Sequence, residues 1–269
     1  MTVRQVALTI AGFDPSSGAG ITADLKVFAA HELYGVSAIT ALTVQSTQGV
    51  RRVEAVSGLL LRETLDCLAE DVDLAGIKIG MLGSAEMVGA VAGFLREAEV
   101  PRERVVLDPV LRSSSGRELL EASGAQILRE ELLPLVGWVT PNIDELAVLT
   151  SSHRMNAEQV PVAAGRLAGL TPGLNVVVTG GHLDRPDDFL RTADGLEQWF
   201  AGERVETTAT HGTGCAFSSA LLCRLILGNG PVEAVSAAKT YVVEAMRAAY
   251  PIGKGRGPLH HLYKAGNRD

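Results

Sequence analysis

Three cysteines in 269 residues, Cys67, Cys215 and Cys223, leave little material for a disulfide framework. Cys215 and Cys223 fall eight residues apart on one helical pattern, roughly 12 Å along its axis, too far for an S–S bond. The odd count and the lack of a CxxC pair point to a reducing cytoplasm and argue against a structural zinc site. Aromatic residues are also scarce, at 4%, which removes the stacking platforms of single-strand nucleic-acid binding. Lys and Arg number 24 against 31 Asp and Glu, a net charge of −7, so the cationic footprint of a nucleic-acid binder is missing. No uncharged apolar run reaches the ~18 residues of a membrane span. The opening Met1-Thr2-Val3-Arg4-Gln5 runs into a strand pattern with no signal-peptide cleavage site. A Walker lysine motif is absent, and the GxG at Gly212 has Phe217 where a dinucleotide fingerprint needs Gly or Ala.

What is present is 46% hydrophobic and 20% charged, enough for a substantial core. Short β-rich runs alternate with helical ones. Strands are expected at Val6–Ile10, Val36–Val44, Ile77–Ile79, Val105–Leu107, Trp138–Thr140 and Val176–Thr179. Helices are expected at Ala23–His31, Leu59–Asp71, Ser84–Ala98, Ala122–Leu133, Ile143–Leu149 and Pro161–Leu170. After Gly180-Gly181 come short antiparallel strands, Asp188–Ala193, Leu196–Ala201 and Val205–Thr208, and then the helices Gly214–Leu227 and Pro231–Tyr250. Repeated βα units predict an α/β fold: a mainly parallel sheet, helices on both faces, and a small antiparallel edge. No linker divides the chain, so residues 1–269 read as one domain. Ligands in such sheets bind at the carboxyl ends of strands.

Chemistry concentrates at those ends. His211-Gly212-Thr213-Gly214-Cys215 opens a largely apolar helix. Free N–H groups at a helix start attract anions, and a thiol in the first turn has its pKa lowered. The bland alternative is a tight loop with a buried cysteine. Ala11–Gly20 is a Gly-rich βα turn, with Asp24 near the next helix start as a candidate ligand contact or a solvated acid. Asn142 and Glu145 share a helix face, suited to a water-mediated Mg²⁺ shell or to a plain helix cap. Asp108 can hold a metal through water, and Gln45 can read a ring edge.

Taken in order, these stretches resemble the hydroxymethylpyrimidine/phosphomethylpyrimidine kinases of the ribokinase superfamily. The matching runs include Leu8–Gly12, Gly18–Ile21, Ala23–Lys26, Lys78–Leu82, Leu107–Val110, Thr140–Asn142, Gly180–Leu183, His211–Cys215 and Ala238-Lys239. The resemblance implies a ribokinase-like fold and transfer of phosphate from ATP to 4-amino-5-hydroxymethyl-2-methylpyrimidine and its monophosphate. It implies that Gln45 bonds the ring while Asp24, Gly12, Met81 and the Val110 backbone shape that pocket. Gly212, Thr213, Gly214 and Cys215 would form the anion hole and catalytic centre. Asp108 and Glu145, with Asn142, would organise Mg²⁺, Lys239 would lie near the nucleotide, and the protein would be a homodimer. Pyridoxal kinase, or a dual enzyme, is a second reading, and a non-catalytic pyrimidine-binding regulator a third. Three departures stand out: Thr179 where the family commonly has lysine, Arg112 and Arg117 around the Ser113–Gly116 loop, and Phe13 beside the pocket.

Overall fold

Apolar residues alternate along each strand, and in the computed structural model the two sets enter two cores on opposite sides of one sheet. The structure describes residues 4–113, 116–153, 155–181, 183 and 185–265. Leu8, Ile10, Ile77, Ile79, Val105 and Leu107 face one core. Ala7 and Val106, the residues between or beside them, face the other. This is the period-two pattern of strands covered on both faces.

The elements are β1 (Val6–Phe13), α1 (Gly20–Ala30), β2 (Tyr34–Ser46), β3 (Gly49–Ala55), α2 (Gly58–Asp71), β4 (Leu74–Ile79), α3 (Ala85–Glu97) and β5 (Val105–Leu107). There follow α4 (Ala122–Ile127), β6 (Trp138–Val139), α5 (Ile143–Leu149), α6 (Val160–Leu170), β7 (Asn175–Val178), β8 (Asp188–Arg191), β9 (Glu197–Phe200), α7 (Thr213–Ile226) and α8 (Pro231–Arg247). Among the described residues the sheet has nine strands, in the order β3-β2-β1-β4-β5-β6-β7-β8-β9. Its centre is parallel, and β3, β8 and β9 pair antiparallel at the two edges. Helices α2, α3, α5 and α6 cover one face; α1, α7 and α8 cover the other. The strand order reverses between β1 and β4, which places the βα1 turn at the switch point where such sheets bind ligands.

Local signals explain several boundaries. Ser84 caps α3 by accepting from Met87 N–H at 3.3 Å, and Pro231 starts α8 where a missing N–H costs nothing. Two expectations are corrected and one strand is added. Val205–Thr208 is not a strand; its last carbonyl accepts from Gly257 N–H in a loop. The β3 edge strand, rich in exposed charge at Arg51, Arg52 and Glu54, has no apolar alternation to reveal it and forms by pairing with β2. Helix α4 gives way after Ile127 to a wider turn over Leu128–Leu132 and a tight one containing Pro134, which offers no N–H to carry a regular helix onward.

Candidate active site

The site gathers at the carboxyl ends of the central strands. Beneath it lies a buried ion pair. Thr9 on β1 and Lys78 on β4 are register partners, and their neighbours Leu8, Ile10, Ile77 and Ile79 face the opposite core. Both polar side chains therefore point toward α1 and α7. There Asp24 Oδ2 accepts from Thr9 Oγ1 at 2.6 Å and Lys78 Nζ at 2.9 Å, while Oδ1 accepts from Ser219 Oγ at 2.8 Å. Asp24 and Lys78 have no solvent exposure. Burial alone would lower the Lys78 pKa, but the Asp24 charge beside it holds the ammonium above its ordinary value. Asp24 is therefore not a solvated acid. Its carboxylate is committed to the floor of the site.

Above that floor, Gly212 starts α7 in the left-handed region at φ +83°, and a Cβ there would lie 1.9 Å from the Gly18 carbonyl. Only glycine lets the two loops approach this closely. No side chain among the described residues caps α7, so the first-turn N–H groups, with Thr213, Gly214 and Cys215, form an anion-attracting terminus. Cys215 is half-buried, and the Asp108 carboxylate is among the charges that act on its thiol. Burial pushes that thiol up to about 12, with Lys78 offsetting only part of the effect. The expectation of a lowered thiol pKa is thus corrected: desolvation and the nearby carboxylates outweigh the helix terminus.

Asp108 also accepts from Ser218 Oγ at 3.3 Å. Burial raises its proton affinity. Glu145 is raised as well, by burial first and then by the charge of Asp108. Asn142 and Glu145 form a reciprocal cap on α5. Asn142 Oδ1 accepts from Asp144 N–H and Glu145 N–H, both at 2.9 Å, and Glu145 Oε2 accepts from Asn142 N–H at 2.9 Å. Of the two readings of that spacing, the helix cap is the one the geometry displays.

On the β1–β2 side, Gly12 packs on Met81; a Cβ on Gly12 would meet Met81 Cε at 2.4 Å. Val110 is half-buried after β5. The Gln45 amide on β2 lies 3.0 Å from His211 Nε2 and 3.2 Å from Thr43 Oγ1. His211 Nε2 in turn meets Asp14 Oδ2 at 2.7 Å. Thr179 forms a bridge with Asn142, and its N–H donates to the Pro141 carbonyl. Lys239 is not a solvated helix lysine: it donates to Asp188 Oδ2 at 2.9 Å and to the Pro186 carbonyl at 2.8 Å. Asp188 also accepts from Gly180 N–H, so Lys239 braces the turn that follows Thr179. Arg117 is drawn to the β2–β3 hairpin, where it donates to the Arg51 carbonyl at 2.7 Å, and Arg112 bridges Glu118. His182 and the Ser114-Ser115 tip lie outside the described residues.

A helix N-terminus with a thiol, an adjoining carboxylate pair and an amide-bearing strand are shared by many proteins in kind, but the full order of segments is decisive. The family model for phosphomethylpyrimidine kinase matches residues 14–260. The chain belongs to that family. It is 42% identical over 267 residues to the hydroxymethylpyrimidine/phosphomethylpyrimidine kinase of Rhizobium meliloti, covering 97% of this chain and 98% of that one. The fold is similar to that of the Clostridium difficile phosphomethylpyrimidine kinase, at TM-score 0.79 and 35% identity over 90% of this chain and 99% of the other. It is also similar to the Bacillus subtilis pyridoxal kinase in complex with ADP, at TM-score 0.88 and 30% identity over 98% and 100% of the two chains. The ribokinase-like architecture expected from sequence is therefore observed.

Within this kinase frame, three residues had no role assigned from sequence: Lys78, Asp14 and His211. A lysine inside the run Leu74–Ile79 was a usable signal, since a charge in a buried central strand requires a partner. Asp14 and His211 offered none, because their partnership spans 197 residues.

Proposed function

We propose that this chain transfers the γ-phosphoryl group of ATP to the hydroxymethyl oxygen of a 4-aminopyrimidine, and then to the resulting monophosphate, in the cytoplasm and as one kinase domain. The observation that carries this reading is that Gln45, a two-way hydrogen-bonding group, is joined through His211 to the uncapped start of α7. A ring read at Gln45 then places its substituent toward an anion-stabilising terminus.

In this reading Gly12, Met81 and Val110 line the ring pocket, and the N–H groups of Gly212–Cys215 stabilise charge on the transferring phosphoryl group. Cys215 takes the proton of the attacking alcohol. Because burial favours its neutral form, the thiolate must develop as the substrates bind, with Lys78 as the fixed cation behind it. Thr179 and Lys239 edge the nucleotide side; Thr179 offers a hydroxyl where a lysine would offer charge. Asp24 supports the site without touching the ligand.

Mg²⁺ suits the donor set. Asp108 and Glu145 are buried oxygen donors whose proton affinities are raised, which a bound divalent cation would reverse, and Mg²⁺ commonly uses one or two carboxylates plus phosphates and water. Asp108 would hold it, with Glu145 and Asn142 acting through water, and the ion would neutralise phosphate charge. A homodimer is part of the same proposal, supported by the exposed Leu42 and Val44 on β2.

The test is a coupled assay with hydroxymethylpyrimidine, its monophosphate and pyridoxal side by side. Turnover of both pyrimidines above pyridoxal supports the reading. Preference for pyridoxal would favour the second reading, which the likeness to pyridoxal kinases motivates. No turnover with any substrate would leave a pyrimidine-binding regulator.

A further inference from the structure

Asp14 and His211 sit between the two halves of the site. Asp14 Oδ1 accepts from Ser16 N–H at 2.8 Å and Ser16 Oγ at 2.7 Å. Its Oδ2 accepts from Gly18 N–H at 3.2 Å, Ala19 N–H at 2.9 Å and His211 Nε2 at 2.7 Å. A carboxylate surrounded by so many donors is held ionised. Facing it, His211 Nε2 carries a hydrogen whether or not the ring is charged.

That hydrogen decides the orientation of Gln45. Gln45 Nε2 lies 3.0 Å from the same His211 Nε2, with Oε1 toward Thr43. With the His211 hydrogen directed at Asp14, that ring nitrogen has no lone pair, so two donors would face each other. Exchanging the amide oxygen and nitrogen, which differ only by assignment, removes the conflict and turns the oxygen to His211 and the nitrogen to Thr43. Thr43 fits this arrangement. Its hydroxyl donates to the Phe13 carbonyl at 3.0 Å and is left to accept from the Gln45 amide at 3.2 Å. One amide N–H and one oxygen lone pair remain for a ligand.

We propose that Asp14 and His211 are a positioning pair that pins the Gln45 amide in one orientation and thereby makes the site select a 4-amino over a 4-oxo pyrimidine edge. The inference rests on the ring-reading role given to Gln45 above. A 4-aminopyrimidine presents an N–H donor beside a ring-nitrogen acceptor, which matches the pinned amide. The 4-oxo ring presents the reverse pattern, a carbonyl beside a ring N–H. A freely rotating amide would turn to suit either; a pinned one leaves the second ring with mismatched groups.

The experiment compares kcat/KM for 5-hydroxymethyl-2-methylpyrimidines bearing a 4-amino or a 4-oxo group. In His211→Phe the amino-over-oxo ratio should narrow at least about tenfold, chiefly through a higher KM for the amino substrate, with the KM for ATP unchanged. His211→Gln, which keeps a donor toward Asp14, should retain most of the ratio. In a Gln45→Leu background, His211→Phe should move the ratio no further. An equal loss for both substrates, or an unmoved ratio, would overturn the inference while leaving the kinase reading intact. Absence of turnover of the aminopyrimidine by the unmutated protein would overturn both. If His211→Phe does not fold, His211→Asn, whose shorter amide cannot hold Gln45, serves the same comparison.

Discussion

Lys78 and Asp24 are 54 residues apart in sequence and 2.9 Å apart in space, with no solvent reaching either side chain. Removing one partner leaves the other as an uncompensated buried charge, a loss of about 3–5 kcal/mol. Lys78→Met should therefore lower the urea midpoint sharply, and adding Asp24→Leu should restore much of it. A Lys78→Met protein with an unchanged midpoint would contradict the account of the floor.

Cys215 should be chemically quiet at rest. A thiol raised to about 12 is protonated throughout the neutral range, and its thiolate is a minor species below that pH. Iodoacetamide at pH 8 should modify the exposed Cys67 first and Cys215 slowly, as peptide mass spectrometry will show. Cys215→Ala should still lower kcat by about 10²–10⁴-fold with little change in substrate binding, the range for a positioned acid–base group. Rapid alkylation of Cys215 in the substrate-free protein would oppose the first expectation, and near-normal turnover of the alanine variant the second.

Gln45→Ala should weaken pyrimidine binding by about 1–3 kcal/mol, the cost of leaving a ligand's polar groups unpaired. Calorimetric titration should find nucleotide affinity intact. Equal weakening of both ligands would instead make Gln45 a structural strut of the β2–β3 hairpin.

Thr179→Lys should raise turnover if charge at the phosphates limits the reaction. A tenfold gain corresponds to ~1.4 kcal/mol of transition-state stabilisation. Thr179 is half-buried, and its N–H bond to Pro141 does not depend on the side chain. Unchanged kcat with an unchanged Mg²⁺ requirement would mean that threonine leaves no deficit.

Acid should loosen the packing of the C-terminal segment. His261 is buried against Tyr241, and burial depresses its imidazole from 6.5 to about 4. The folded value lies below the unfolded one. The stabilising contribution is therefore complete above about pH 6.5 and is lost as pH falls through 4, by up to about 3 kcal/mol. His261→Leu should remove that part of the pH slope in urea midpoints. Tyr241 keeps a partner in the variant, because its hydroxyl also donates to the His261 carbonyl at 3.1 Å.

The sequence made the central architecture readable because strand alternation, helix caps and βα spacing are local signals. Ser84, Pro231 and the Asn142–Glu145 box each mark a boundary within a few residues of themselves. The charged β3 was not readable, since its strand character comes from lying beside β2. In the candidate site, Gln45, Asp108 and the Gly212 turn stand out in the sequence because they end strands or open a helix. The burial of Asp24 and the direction of the Cys215 pKa escape a sequence reading for one reason: both depend on desolvation by elements distant in sequence. The Asp14–His211 partnership was invisible on the same ground.

The strand order has a consequence for assembly in time. Every pairing but β1 with β4 joins sequence-adjacent strands, so most of the sheet can zip up in the order of synthesis. The site cannot. Ser219 reaches back 195 residues to Asp24, His211 reaches back 197 to Asp14, and Gly255 reaches back 208 to Thr47. Closing loops of that length is slow relative to neighbouring strand contacts. During refolding, far-ultraviolet dichroism should recover before catalytic competence, with a folded but inactive sheet as the species between.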